Sequence, residues 1–356
     1  IAVANCPLGT EEPAPIQYLP MRVADTGALQ HATGNSKGVD AVDLQPARSA
    51  NAQVASGDNA TISGGRNSTA SGNRSTVSGG EGHTASGLNS TVGGGSVNQA
   101  TGDYSTVAGG DTNRATVDNA VVGGGSLNNS TALGATIAGG SGNAVSGQFS
   151  FIGGGASNTV SDSQSVVCGG SGNQSTNPDA FVGAGQGNIA SKQFSFISNG
   201  AAVRADKYGQ NAHNNGVFSG AGDCQSSQLI WRISTTDATA NVEMFLNGSS
   251  ATQRATIAAG STWAFHIIGV ARRDTGVSIS FEVKGAIMNN AGTTGLVAAV
   301  TAAVIADGTG AAMTIANFTV DADNGNDALR IRVTGISSQN WRWAAHARLV
   351  ELMYGA

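Results

Sequence analysis

Through its middle, the chain repeats its apolar and polar positions with a period of fifteen. A β-branched residue stands at Ile62, Val77, Val92, Val107, Val122, Ile137, Ile152, Val167, Val182 and Ile197, each fifteen residues beyond the last. Two places before each is a small residue, from Ala60, Ser75 and Ser90 to Ser195. Half a period on, a second short position recurs at Ala70, Ala85, Ala100, Ala115, Val145, Val160 and Ala190. Just before it, Asn98, Asn113, Asn128, Asn143, Asn158, Asn173 and Asn188 hold one phase. A fixed period of this kind signifies stacked units, each too small to hide its own apolar face. Small–x–β-branched alternation sets Ser75 and Val77 on one face of a short strand and Thr76 on the other. Glycine pairs such as Gly64-Gly65 and Gly79-Gly80 suit corners that need φ > 0. Each period therefore predicts a coil of short strand, glycine turn, short strand and turn. Parallel coils stack about 4.8 Å apart, and the in-phase asparagines are expected to form amide ladders between them.

Composition bears on how such a coil is stabilised. Glycine supplies 52 of 356 residues, charged residues are 12% and aromatics 5%. Two or three apolar side chains per coil look too few for one chain to enclose a sizeable core. Three chains sharing an axis remedy this, so a homotrimer is expected. The position before each β-branched residue points the same way. It reads Thr61, Thr76, Thr91, Thr106, Val121, Thr136, Phe151, Val166, Phe181 and Phe196, turning apolar toward the C-terminal end. Packing on a neighbouring chain or on the next domain is the expected use of that face.

Units such as Ser75-Thr-Val-Ser-Gly-Gly and Gly82-His-Thr-Ala-Ser-Gly87 resemble the head repeats of trimeric autotransporter adhesins. That resemblance implies a left-handed parallel β-roll with three chains to a rod, over roughly residues 51–205. The lead-in Val42-Asp-Leu-Gln-Pro-Ala-Arg-Ser-Ala-Asn-Ala-Gln-Val-Ala-Ser-Gly57 is similar to segments of phage tail-fibre and tailspike proteins, as is Tyr208-Gly-Gln-Asn-Ala-His-Asn-Asn-Gly216. The implied function is a structural virion fibre that binds a host-surface glycan or protein. Its expected address is the tail or capsid surface, outside the cell. Its N-terminal region would contact other tail or capsid proteins. A capsid decoration or head fibre, a polysaccharide-depolymerising tailspike and a bacterial surface adhesin are the alternatives. An adhesin needs a secretion signal and a C-terminal anchor, and neither Ile1 onward nor the ending Val350–Ala356 reads as one.

Residues 1–50 lack the period and hold Pro7, Pro13, Pro15, Pro20 and Pro46, which suits an extended arm and a cap over the first coil. Residues 206–220 read as a connector. From 221 to 356 the period disappears, and alternating runs appear at Leu229–Ile233, Val242–Leu246, Thr262–Ala271, Val277–Ile287, Leu296–Ile305, Met313–Val320, Ala328–Val333 and Trp341–Leu352. Turn signals such as Asn247-Gly248, Asp307-Gly308 and Asp323-Asn324-Gly325 separate several of them. The fold class expected is thus all-β: a trimeric parallel β-roll or β-helix shaft of fifteen-residue coils, then a C-terminal jelly-roll-like sandwich for receptor binding or trimer locking. Most tryptophans there are expected in the core. One or two of Trp231, Trp341 and Trp343 are candidates for stacking on sugar rings.

Net charge of −5 offers no basic stripe for nucleic acid. Cys6, Cys168 and Cys224 lie far apart and read as small buried thiols, with no metal spacing. His31, His83, His213, His266 and His346 are scattered, so no metal or cofactor site is expected. Asp321, Asp323 and Asp327 outline a tight turn better than a calcium loop, because Gly325 and Arg332 stand where ligands belong. Asp103 and Asp118 share a phase and are the one carboxyl pair to weigh for glycoside hydrolysis, with solvated side chains the expected reading.

Overall fold

The computed structural model describes residues 37–248, 252–308 and 312–354. Most of the arm read from the prolines, and Cys6, lie outside the described residues. The architecture is all-β: a parallel solenoid of about eleven coils of fifteen residues, followed by C-terminal strands. At about 4.8 Å per coil the solenoid is a rod of roughly 50 Å.

Each coil contributes three parallel ladders. One stacks the β-branched dipeptides in step, as Thr76–Val77 pairs with Thr91–Val92 and that pair with Thr106–Val107. The second stacks the opposite wall, as Thr84–Ala85 pairs with Gln99–Ala100. Single bridges such as Arg66↔Glu81↔Ser96 form the third. Among the described residues, pairing begins with Val42–Asp43 against Thr61–Ile62, inside the segment read as an arm, and runs on through Asn211–His213 in the segment read as a connector.

The ten β-branched side chains face Ala and Val of the opposite wall and are all fully buried within the single chain. This corrects the expectation that one chain cannot close the core. The coil is narrow enough for one Ile or Val and one Ala, Ser or Val per layer to fill it, so a shared axis is not needed for that purpose.

The asparagine row is also buried, and it bonds differently from an amide ladder. Asn113 accepts the Asn128 backbone N–H on Oδ1 at 3.0 Å and donates from Nδ2 to the carbonyls of Gly109 and Gly125 at 2.9 and 2.8 Å. The same set recurs from Asn98 to Asn188, so each side chain satisfies three backbone groups at a corner. His83 occupies this row one coil earlier. Its Nδ1 accepts from Asn98 N–H at 3.1 Å, while Nε2 is buried with no hydrogen bond of good geometry. Ser75, Ser90 and Ser105 likewise bury hydroxyls that lack a partner, in the phase that Ala60, Ala120 and Ala135 fill elsewhere.

Left-handed residues turn the coil, for example Gly65, Asn67 and Arg74 at φ 79°, 56° and 57°. Only the first of these phases enforces glycine by close approach, since a Cβ on Gly65 would stand 2.0 Å from the Gly80 carbonyl oxygen.

The solenoid sheet does not end with the solenoid. Asn211–His213 pairs antiparallel with Cys224–Thr235, which pairs with Trp341–Met353, then Ser261–Arg273, then Ser278–Asn290. The last of these carries both Thr293–Leu296 and Thr301–Asp307. Against this large sheet packs a small one centred on Ala328–Val333, flanked by Phe318–Asp323 on one side and by Val242–Met244 and Ala255–Thr256 on the other. Trp231, Trp263, Trp341, Trp343, Phe281 and Phe318 fill the space between. The run read as one strand over Leu296–Ile305 is therefore two. Met313–Val320 starts with a 3-10 turn at Ile315–Asn317, capped by Thr314 and Asn317.

Candidate functional site

Long strands of the large sheet alternate strictly between core and surface. In Trp341–Met353 the odd positions through Glu351 are buried, and the even ones point outward. That alternation decides where each candidate residue goes. Trp231, Trp341 and Trp343 fall on the buried side, at 1%, 1% and 2% exposure. Trp343 donates its Nε1–H to Thr235 at 3.0 Å, and Trp341 donates to Gln339 at 3.2 Å. The rings are core, which corrects the expectation that one or two of them meet sugar. Trp341 and Trp343 pack on each other at 6.3 Å between ring centres, and Trp343 stacks on Phe281 at 6.2 Å. Cys168 is also corrected, because it is exposed on the outside of the shaft.

Asp103 and Asp118 are neighbours as predicted, but their carboxylates hold backbone. Asp103 accepts the Leu88 N–H at 2.8 Å, and Asp118 accepts the Asp103 N–H at 3.0 Å. Around the turn read from Asp321, Asp323 and Asp327, Asp321 takes a fork from Arg330 and also pairs with Arg332. Asp323 accepts from Gly325 N–H and Asn326 Nδ2. The carboxylates are committed to stabilising the small sheet and its turn.

Two clefts of the domain carry both acidic and basic side chains. The first lies where the last coil meets the large sheet, has a volume of about 340 Å³, and is lined by Lys207, Gln225, Trp263 and Glu351 among others. Glu351 sits on the apolar side of its strand and accepts weakly from Gln210 and Gln225, both at 3.3 Å. Burial pushes its carboxyl pKa up, opposed by nearby Lys207. Lys207 is almost fully buried, paired with Asp206, and lies 5.0 Å over the Trp263 ring. The cluster fastens the final coil to the domain. An acidic residue at position 351 of an otherwise apolar alternation was its signal in the sequence.

The second cleft, about 600 Å³, opens at the strand ends remote from the shaft contact. Its walls carry Arg272, Arg273 and Arg342 beside Ser234, Asp274 and Asn340. Strand register creates it: Ser234 lies opposite Arg342, and Arg342 opposite Arg272, on the outward face. Strand alternation puts Arg342 on the face opposite Trp341 and Trp343, but does not supply that cross-strand register.

The outward face of the large sheet is the remaining feature. Ladder partners share a face, so Phe196, Asn211, Gln228, Arg348, His266 and Lys284 form one continuous row from shaft to domain. Around that row the surface is apolar. Phe151 and Phe196 are 38% exposed, and Ile230, Ile268, Val270, Val350 and Leu352 are 42–61% exposed. Phe181 and Phe196 stack at 4.8 Å along the shaft.

No protein-family model matches this chain, and no curated protein matches it. Among solved structures, the Acinetobacter phage vB_ApiP_P1 tailspike protein is similar at 10% identity and a TM-score of 0.23, over 83% of this chain and 62% of its own. This chain thus spans less than two thirds of that protein's length. A tailspike protein, gp49 from Acinetobacter baumannii bacteriophage Fri1, described as a capsular polysaccharide depolymerase, is similar at 7% identity and a TM-score of 0.20, over 91% of this chain and 73% of its own. Likeness at that level transfers no residue and no reaction.

Proposed function

We propose that this chain is the subunit of a homotrimeric phage tail fibre or tailspike that attaches the particle to a host-surface glycan. One observation carries the reading: the shaft sheet continues unbroken into the large sheet of the C-terminal domain. A rod and a terminal domain sharing one hydrogen-bonded sheet hold that domain at a fixed distance and orientation. Attachment by a stiff spacer uses such an arrangement, because little conformational freedom is lost on engagement. The repeat's resemblance to adhesin heads, and that of the flanking segments Val42–Gly57 and Tyr208–Gly216 to phage tail proteins, support the same reading. The N-terminal end is then where the particle's other tail or capsid proteins dock.

The apolar outward face supports the trimer. Its apolar part, from Ile230 and Ile268 to Val350 and Leu352, lies on the shaft side of the strand ends that carry Arg272 and Arg342. Three copies also multiply weak contacts through effective concentration.

Sedimentation of the full chain should give a trimer, and labelled protein should adsorb to strains of one capsule type. Val350→Asp with Ile268→Asp should yield a folded monomer with adsorption reduced by orders of magnitude. A wild-type monomer that adsorbs to nothing would overturn the reading. Release of reducing sugar ends from the capsule would replace attachment by depolymerisation as the activity.

A further inference from the structure

Like charges directly opposite on neighbouring strands are destabilising. The large sheet nevertheless sets Arg342 against Arg272, with Arg232 one pleat away beside Ala344 on the same outward face. None of these three is ion-paired among the described residues, whereas Arg254, Arg330 and Arg332 on the small sheet are all matched to Glu243, Asp321 or Asp323. The domain therefore neutralises guanidinium groups in one place and gathers ones without a carboxylate partner in another, within a chain of net charge −5. Arg273 adds a further cation at the cleft wall, where its Nε–H donates to the neighbouring Thr275 hydroxyl. Asp274 is the single carboxylate of the lining, and it is engaged by Asn340 Nδ2 at 3.2 Å.

We propose that this cleft binds a carboxylate-bearing saccharide. Planar guanidinium forks match carboxylates in bidentate fashion. The Ser234, Thr236 and Asn340 side chains around them are suited to sugar hydroxyls. A volume of about 600 Å³ lies in the range of built ligand clefts. The buried edge of Trp341 gives the cleft a rigid floor and no stacking face, so recognition is by charge and hydrogen bonds. The inference rests on the attachment reading and narrows it to acidic host glycans.

The test uses the full chain, a uronic-acid tetrasaccharide and a neutral glucose tetrasaccharide, with calorimetric titration at two salt concentrations. Wild type should bind the uronate, more weakly at high salt, and ignore the neutral sugar. Arg272→Gln and Arg342→Gln should each weaken uronate binding by about tenfold or more. Sedimentation of both variants should match wild type. Equal binding of the two sugars, no uronate binding by wild type, or full affinity in the double variant would each overturn the proposal. So would dissociation of the assembly in Arg272→Gln, which would assign the arginines to a contact between copies. Failure of the attachment reading looks different: wild type would bind uronate in solution yet adsorb to no acidic-capsule strain.

Discussion

In the shaft the largest fully buried side chains are Ile62, Ile137, Ile152 and Ile197, and each layer adds only a few small groups. In the C-terminal domain the same sheet is covered by Trp231, Trp263, Trp341, Trp343 and Phe281. The shaft therefore depends on regularity: the layers from Asn98 to Asn188 repeat the same tight fit and the same three bonds from an asparagine. The domain depends on bulk, with non-repeating aromatic contacts between two sheets. A thin repeated core has no slack, because a fault in one layer has only its two neighbours to relax against. A thick aromatic core loses more area per residue but spreads the loss over many contacts.

The sharpest way to break this contrast is Val122→Asp, which places a carboxylate in a closed layer. A loss of more than about 5 kcal/mol is expected, seen as disappearance of the shaft transition in calorimetry. Trp343→Ala should cost about 3–5 kcal/mol and lower a domain transition, leaving the shaft transition where it was. A single transition that moves equally in both variants would show that the two regions unfold as one body.

A smaller effect depends on pH. Burial lowers the His83 pKa, opposed by backbone bonds at the same corner. The folded shaft favours the neutral ring, and the unfolded chain takes a proton near the ordinary value of about 6.5. Stability contributed here is thus present above about pH 6.5 and lost as pH falls below it. His83→Asn restores the set of bonds its neighbours make, so the variant should be more stable at pH 5 by about 1 kcal/mol and gain less at pH 8. Equal gains at both values would assign the effect to packing alone. The smallest change is Ser90→Ala, expected to stabilise by up to about 1 kcal/mol by removing a buried hydroxyl without a partner. A destabilised variant in urea titration would show that the hydroxyl has a partner after all.

Most of the shaft was legible in the sequence, because a fifteen-residue period fixes both the coil and the phase of each row. What the period does not contain is the width of the coil, so the sufficiency of Val77 against Ala85 within one chain was misjudged. The asparagine row was located correctly, but its bonding was not, since the nearest acceptors to Asn113 Nδ2 are glycine carbonyls rather than another amide. In the domain, alternation marked the long strands within a few residues. It could not distinguish a core tryptophan from a surface one, because a strand's two faces are equivalent until its partner sheet is known. The arginine cleft depends on cross-strand register between residues about 70 apart in sequence, Arg272 and Arg342, and no local pattern reports that.

The shaft's hydrogen bonds run coil to coil along the length of the rod. A pull on the terminal domain is then carried by coils linked in series, so the least bonded junction sets the breaking load. By that logic a tethered fibre under drag should yield first outside the run from Asn98 to Asn188, where no asparagine of this row bridges two corner carbonyls. Optical-tweezer traces should show release in steps of roughly 45–50 Å, one coil of fifteen residues at a time.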